Sequence, residues 1–276
     1  MPFQLTHPTP GAIKTNASLT PRTALRPLRV ECFSDATTAS RQLAARIAAN
    51  IRGRAGEGRT YVLGLATGST PVPLYAELIR LHREEGLSFQ NVVSFNLDEY
   101  LGIPASHPCS FHTFMIEQLF QHIDLPEENI HIPDGSMAED RIDGHCADFE
   151  AAIVRAGGID LQILGIGRSG HIGFNEPPSG PESRTRRVTL DPVTREDAAG
   201  TFGGLGKVPT EAITMGVGTI LDAREIVLMA WGSDKAGIVA RALTGPSGAE
   251  LPASLLRSHG DVTFLLDHNA AAKLDR

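Results

Sequence analysis

Cysteine is scarce in this chain: there are three in 276 residues, and no two of them form a Cys-x-x-Cys pair. An odd and scattered set (Cys32, Cys109 and Cys146) does not make a disulfide framework. We therefore expect free thiols, which is typical of a protein from a reducing cytoplasm.

Long apolar runs and an excess of positive charge are also missing. No apolar stretch approaches the 18 residues that a membrane-spanning helix needs, so we expect no membrane partner. The formal net charge is −7 at pH 7, which argues against general nucleic-acid binding. A small anionic substrate remains compatible with that charge, because a few cations and backbone N–H groups can make a positive pocket on an acidic protein.

Fingerprints of bound cofactors and metals are absent as well. The chain has no Gly-Lys-Ser/Thr phosphate loop and no redox-cofactor motif, and its histidines and cysteines show no zinc-ligand spacing. We therefore predict no bound cofactor and no structural zinc.

What the chain does have is an alternation of apolar runs with amphipathic patterns. Predicted strands cover 61–66, 92–97, 159–166, 225–231 and 262–266, and predicted helices begin near 34, 71, 110, 138 and 235. This alternation favours an α/β fold with a mostly parallel sheet, right-handed crossovers and helices on both faces. We expect one domain over 28–276, preceded by a flexible extension over 1–27 that takes no part in the chemistry.

The segment 163–177 is the most informative part of the chain. A predicted strand ends in a cluster of glycines, and His171 and Glu176 follow five residues apart. Glycine allows the backbone to turn sharply and to approach a ligand closely. Because open α/β sheets bind ligands at the carboxyl ends of their strands, we predict that His171 and Glu176 face a small molecule.

Three other predicted strands end in polar side chains. Residues 67–71 form a Gly/Ser/Thr loop that opens a helix, which is a suitable site for an anion. Asp98 and Glu99 follow the strand 92–97 and could bind Mg²⁺ or supply a general base. Lys235 opens a helix, where a cation is unfavourable to the helix dipole, so it is predicted to serve an anion.

Each of these features also has a simpler structural interpretation. The loop 67–71 could be a turn with a helix N-cap, Asp98 and Glu99 could be solvated loop charges, Lys235 could be a surface lysine, and His171 could be structural. Taken together, an anion site, a candidate base and an imidazole–carboxylate pair suit proton transfer on a small phosphorylated molecule.

In these and neighbouring segments the chain resembles a known family, the glucosamine-6-phosphate deaminases. The motifs that carry the resemblance are 64–71, 95–102, 170–177, 183–186 and 216–222. The resemblance implies a Rossmann-like sheet, a homo-oligomer, and a metal-free conversion of an amino sugar 6-phosphate to fructose 6-phosphate and ammonia.

The resemblance also implies roles for individual residues. His171 would assist opening of the sugar ring, Asp98 would move a proton between C2 and C1, and Glu176 would orient His171. Thr67, Gly68, Ser69, Thr70 and Lys235 would hold the group on C6. Glu99 and Gly170 complete the predicted substrate-binding set, and residues from 183 onward would form a mobile lid.

Two positions depart from the family pattern. Ser169 stands where many members have an aspartate, so it can form hydrogen bonds in the predicted catalytic set but adds no charge. Gly200 or Thr201 stands where the family has a phosphate-binding arginine. We consider two consequences: another cation compensates (Lys207, Arg195 or Arg187), or the C6 group is not a phosphate but a monoanion such as a sulfonate.

Two other functions fit part of the pattern. A sugar-phosphate lactonase would share the fold and the strand-end histidine, but it needs no base for a C2 proton. A non-catalytic sugar-phosphate sensor would bind the same ligands without turnover.

Overall fold

The computed structural model describes residues 28–274. The strands are β1 (Arg29–Phe33), β2 (Tyr61–Leu65), β3 (Val92–Asn96), β4 (Asp98–Tyr100), β5 (Ile130–His131), β6 (Leu161–Leu164), β7 (Arg186–Thr189), β8 (Glu211–Thr214), β9 (Glu225–Ala230) and β10 (Val262–Asp267). The α-helices are α1 (Ala36–Gly56), α2 (Val72–Glu85), α3 (Phe111–Gln118), α4 (Ile142–Arg155), α5 (Pro192–Phe202), α6 (Val217–Leu221) and α7 (Ala236–Thr244). The flexible extension predicted for 1–27 lies outside the described residues.

Seven strands form a parallel sheet in the order β1-β10-β9-β6-β2-β3-β5. From β2 the chain proceeds outward through β3 to β5, and it then returns to place β6 on the other side of β2. The direction of strand addition therefore reverses between β2 and β6. In a sheet of this kind the crevice at such a reversal is the usual ligand site.

Helices cover both faces of this sheet, which confirms the predicted α/β class. On one face, α1 packs Leu43 and Ile47 together with Leu78 of α2 into one apolar cluster. On the other face, Phe149 of α4 and Val239 of α7 belong to a second cluster. Because the sheet is covered on both sides, its central strands are buried along their whole length and contain few polar residues.

A second, three-stranded sheet was not predicted. It has the antiparallel order β4-β8-β7, and it contains Asp98–Tyr100, which the sequence pattern suggested was a loop. The pairing partner of β4 lies more than 100 residues away, at Ala212–Thr214, so no local pattern could indicate it. This small sheet fixes the backbone from Asp98 to Tyr100, directly after β3.

Among residues 28–274, no helix combines the length and the apolar character that a membrane crossing requires. The three cysteines are free thiols.

Candidate active site

A cavity of about 650 Å³ opens at the carboxyl ends of the parallel strands. Its lining includes residues from all four predicted strand ends: Thr67, Gly68, Ser69, Thr70, Asp98, His171 and Lys235. The loops after β2 and β6, which flank the reversal of strand order, lie side by side in it. The structure therefore brings together residues that are separated by up to 168 positions in the sequence.

His171 is held by two side chains from its own loop. Its Nδ1 lies 3.1 Å from Oε2 of Glu176 and 2.9 Å from Oγ of Ser169, and the Ser169 hydroxyl donates to the same Glu176 oxygen at 3.0 Å. Glu176 can accept the Nδ1 proton, which fixes the tautomer in which Nε2 is the basic nitrogen. Within residues 28–274, Nε2 has no hydrogen-bond partner.

The Glu176 carboxylate stays ionised although it is largely buried. Burial alone would raise the pKa of Glu176, but hydrogen bonds and charge from His171, together with hydroxyls of Thr194 and Ser169, outweigh burial and lower the pKa. The Thr194 hydroxyl donates to Oε1 and comes from α5. Sequence reasoning missed Thr194, because only the docking of α5 reveals it.

The glycine at position 167 makes room for the His171 ring. A Cβ added at Gly167 would lie 2.1 Å from both Cε1 and Nε2 of His171. The backbone N–H of Gly167 also donates to the His171 carbonyl at 3.0 Å. The loop thus brings its backbone against the imidazole so closely that any side chain would displace the ring.

Asp98 lines the cavity with 5% of its surface exposed. Burial, with a smaller contribution from the neighbouring Glu99 charge, raises the pKa of Asp98 to about 8. A carboxyl with so high a pKa is a stronger base than an ordinary aspartate, and its pKa lies near neutral pH, where proton transfer is most efficient.

Glu99 has a different position from the one we expected. Its carboxylate lies behind the cavity wall and accepts three backbone N–H groups, from Tyr100 (2.8 Å), Phe111 (3.0 Å) and His112 (2.9 Å). Burial raises the pKa of Glu99 despite these bonds. Because successive side chains of a strand point in opposite directions, Asp98 faces the cavity while Glu99 holds the start of α3.

Gly170 also lies behind the wall. Its φ is +87°, and a Cβ there would lie 2.1 Å from Cδ1 of Leu251. Gly170 lets the loop turn, and it does not line the cavity.

Another part of the cavity lining is suited to an anion. The loop 67–70 precedes the N-terminus of α2 and is anchored by Tyr75, whose hydroxyl donates to Ala66 O at 2.5 Å, and by Trp231, whose indole donates to Thr70 O at 2.9 Å. Lys235 donates to the Ile166 carbonyl at 2.8 Å. Burial is the main cause that lowers the pKa of Lys235. An anion here would meet loop donors, the positive end of a helix dipole and an ammonium group.

The helix α5 forms part of the wall of this cavity. Thr201 lines the cavity at the place where an arginine was expected, and Phe202 packs edge-on against Tyr100. Two of the proposed compensating cations are occupied elsewhere: Arg195 donates to the carbonyls of Val208 and Pro209, and Arg187 pairs with glutamates at 211 and 139.

The third proposed compensating cation, Lys207, lies outside the lining, whereas Arg168, which we did not predict, lies within it. Arg168 was overlooked because it sits in the same glycine-rich loop as His171, where the histidine and the carboxylate carried the chemical signal. Within the described part of the chain, no group of three or more His, Cys, Asp or Glu residues is placed to hold a metal ion.

Comparison with known proteins gives consistent results. A family model described as glucosamine-6-phosphate isomerases/6-phosphogluconolactonase matches residues 34–264. A glucosamine-6-phosphate deaminase from Shewanella loihica is 52% identical over 77% of this chain and 79% of that one. Another from Thermoanaerobacter sp. strain X514 is 47% identical over 76% of this chain and 83% of that one.

Solved structures agree with the sequence relatives. A monomeric glucosamine-6-phosphate deaminase superposes with a TM-score of 0.84 at 41% identity, covering 89% of this chain and 99% of that one. A 6-phosphogluconolactonase from Trypanosoma brucei gives 0.72 at 20% identity over 91% of this chain and 100% of that one, which shows a shared fold. The chain belongs to the glucosamine-6-phosphate isomerase/6-phosphogluconolactonase family.

Proposed function

We propose that this protein is a glucosamine-6-phosphate deaminase, which converts glucosamine 6-phosphate to fructose 6-phosphate and ammonia. The observation that carries the proposal is the placement of two proton-transfer groups in one cavity: the His171–Glu176 pair and the buried Asp98. The loop 67–70 and Lys235, which form the candidate anion site, line the same cavity.

The first step is the opening of the sugar ring. Nε2 of His171 takes the proton of the C1 hydroxyl, and the ring oxygen receives a proton as the C1–O bond breaks. Glu176 holds Nδ1–H and stabilises the imidazolium that forms in between. The product is an open-chain aldehyde with an amine on C2.

The second step is the transfer of a proton between carbons. The Asp98 carboxylate removes the C2 proton while O1 takes up a proton from solvent, which gives an enolamine. The Asp98 carboxylic acid then returns its proton to C1, which restores the carboxylate and leaves an iminium at C2. Water then adds to the C2 iminium and ammonia leaves, so that a ketone remains at C2. Burial of Asp98 supports this role, because it raises the basicity of the carboxylate that must attack a C–H bond.

The buried Asp98 also separates this function from that of a lactonase. Hydrolysis of a lactone needs an activated water but no base beside C2, so a second proton-transfer group with a raised pKa has no purpose there. A sensor without turnover would have no need of a base with a pKa near neutrality either.

Product analysis tests the proposal directly. We expect wild-type protein to release ammonia and fructose 6-phosphate in equal amounts from glucosamine 6-phosphate. We also expect that it does not hydrolyse 6-phosphogluconolactone faster than the spontaneous reaction. Lactone hydrolysis without ammonia would favour the lactonase, and binding without either product would favour the sensor.

A single methyl group at position 167 should impair the catalytic histidine. Gly167→Ala places a Cβ on the imidazole and should lower kcat at least about 10-fold, because a small misplacement of a catalytic group costs one to two orders of magnitude. The measurement is steady-state ammonia release with thermal unfolding recorded in parallel. Gly53→Ala, in α1 with open space around its Cβ, is the matched control and should retain full activity. Equal kcat values for both variants would show that His171 tolerates displacement.

Ser169 is proposed to position the pair rather than to react. Ser169→Ala removes one donor to Glu176 but leaves the direct contact with His171, so we expect kcat to fall only about 3- to 10-fold, as for the loss of one hydrogen bond. Because that hydrogen bond helps to lower the pKa of Glu176, the profile should show a second loss of kcat at acidic pH, below the limb set by Asp98, and Ser169→Ala should move this second loss to higher pH. Ser258→Ala, an exposed serine that bonds only a backbone carbonyl, is the control. An unshifted profile would remove Ser169 from the relay.

Oligomeric state and compartment remain predictions. The family resemblance implies a homo-oligomer, whereas one solved relative is a monomeric enzyme. Free cysteines are compatible with the cytoplasmic setting that we propose. Light scattering on the purified full chain decides the first point.

A further inference from the structure

We propose that Arg168 binds the C6 phosphate of the substrate, and that the Asp197 carboxylate forms an ion pair with the Arg168 guanidinium when no substrate is bound. This inference rests on the proposed function, and it deepens it: it assigns the C6 group as a phosphate dianion and names the residue that replaces the missing lid arginine.

The position of Arg168 supports the first part of the proposal, which is that Arg168 binds the phosphate. Arg168 lies two residues after Ile166, whose carbonyl binds the ammonium of Lys235, and both cations line the cavity together with the loop 67–70. Among the described residues, Arg168 and Lys235 are the only lysine or arginine side chains in that lining. Two cations match the charge of a phosphate dianion, whereas Lys235 alone would suffice only for a monoanion.

The ion-pair partner of Arg168 supports the second part of the proposal, which is that Asp197 and the phosphate compete for Arg168. Asp197 of α5 accepts from both Nε, at 3.0 Å, and Nη2 of Arg168. A bidentate carboxylate uses the same pair of donors, in the same plane, that a phosphate uses. Asp197 itself lines the cavity, so the ion pair sits where the anion would enter.

The ion pair is placed so that it can be exchanged. The Arg168 and Asp197 side chains are 58% and 48% exposed, and exposed ion pairs contribute little to stability. A dianion that also meets Lys235 and the donors of the loop 67–70 can therefore displace the Asp197 carboxylate from Arg168. The exchange would release α5 from one of its contacts with the His171 loop, while the Thr194–Glu176 contact remains.

Two variants of one ion pair should then change anion binding in opposite directions. Arg168→Gln removes a phosphate ligand, so we expect KM for glucosamine 6-phosphate to rise about 10- to 50-fold with kcat changed less. Asp197→Asn removes a competitor and a repulsive charge, so we expect KM to fall about 2- to 5-fold. A merely structural ion pair would give changes of the same direction in both variants.

Binding without turnover keeps this test independent of the proposed reaction. Titration calorimetry with inorganic phosphate and with sorbitol 6-phosphate should show weaker binding to Arg168→Gln and tighter binding to Asp197→Asn. Arg59→Gln, from an ion pair of similar exposure with Glu57, and Lys207→Gln, from the exposed segment after α5, are the charge-matched controls, and neither should change these affinities.

The outcomes separate cleanly. If Arg168→Gln binds phosphate as tightly as the wild type, or if Lys207→Gln weakens binding instead, the assignment of Arg168 is wrong. If the opposite changes appear but no ammonia is released by the wild type, the anion site stands and the deaminase function fails. A C6-sulfonate analogue that binds better than the phosphate would overturn the dianion assignment.

Discussion

Replacement of Asp98 by asparagine should lower kcat at least about 100-fold, because a positioned general base contributes two to four orders of magnitude. The amide cannot accept the C2 proton, which accounts for the loss of kcat. Because the amide has nearly the shape of the carboxylate, KM should change little. Ammonia release from glucosamine 6-phosphate measures the loss. Asp148→Asn, an exposed position of α4, removes the same charge elsewhere and should have no effect.

The pH dependence gives a second check on Asp98. The base must be ionised to act, and burial raises its pKa to about 8, so kcat/KM of the wild type should rise with pH and level off above that value. The residual activity of Asp98→Asn should lack this limb. A wild-type profile that is flat between pH 6 and 9 would contradict the role of Asp98.

The same substitution should stabilise the fold. Between about pH 4 and 8 the folded chain keeps a proton on Asp98 that the unfolded chain has released, so wild-type stability falls as pH rises through that range. Asparagine has no charge to desolvate. We therefore expect Asp98→Asn to gain more than about 1 kcal/mol at pH 8.5, worth roughly 2–4 °C in Tm, and less at pH 5. A loss of stability at both values would mean that Asp98 is structural.

Much of this site could be predicted because its parts lie at the ends of strands. In a parallel sheet those ends share one edge, so Thr70, Asp98, His171 and Lys235 could be grouped before any contact was known. The sheet order then explains why two of the loops lie side by side, since the strand order reverses between β2 and β6.

What could not be predicted depends on contacts between distant segments. Thr194 meets Glu176, and Asp197 meets Arg168, only because α5 docks over the loop that follows β6. The helix itself has a weak apolar pattern, and the small antiparallel sheet next to it pairs strands more than 100 residues apart. Glu99 was misplaced for a related reason: its orientation follows from a strand that the sequence pattern did not indicate.

Ser169 shows how a missing charge can be replaced by geometry. Its hydroxyl lies within hydrogen-bond distance of both His171 and Glu176. The three side chains are therefore mutually hydrogen-bonded, and Glu176 alone among them carries a negative charge. The Thr194 hydroxyl adds a further donor to the same carboxylate. Glu176 therefore stays ionised and oriented, which supports the imidazolium that we propose for His171.

The His171 variant should separate ring opening from carbon proton transfer. His171→Asn keeps an N–H near the position of Nδ1, and with it the contact to Glu176, but removes Nε2. We expect turnover of glucosamine 6-phosphate to fall about 100- to 1,000-fold, as for the loss of a general acid–base group. His268→Asn, at an exposed position, is the control and should behave like the wild type.

The decisive comparison for His171 uses a substrate that needs no enzymatic ring opening. A small open-chain fraction of fructose 6-phosphate exists in solution, and with ammonia it forms the C2 iminium from which Asp98 removes a C1 proton. In D₂O, deuterium should therefore enter C1 with His171→Asn at a rate within about 10-fold of the wild type, because the base is intact, whereas Asp98→Asn should lose exchange and turnover together. Equal losses of exchange and turnover in His171→Asn would assign the carbon proton transfer to the histidine instead.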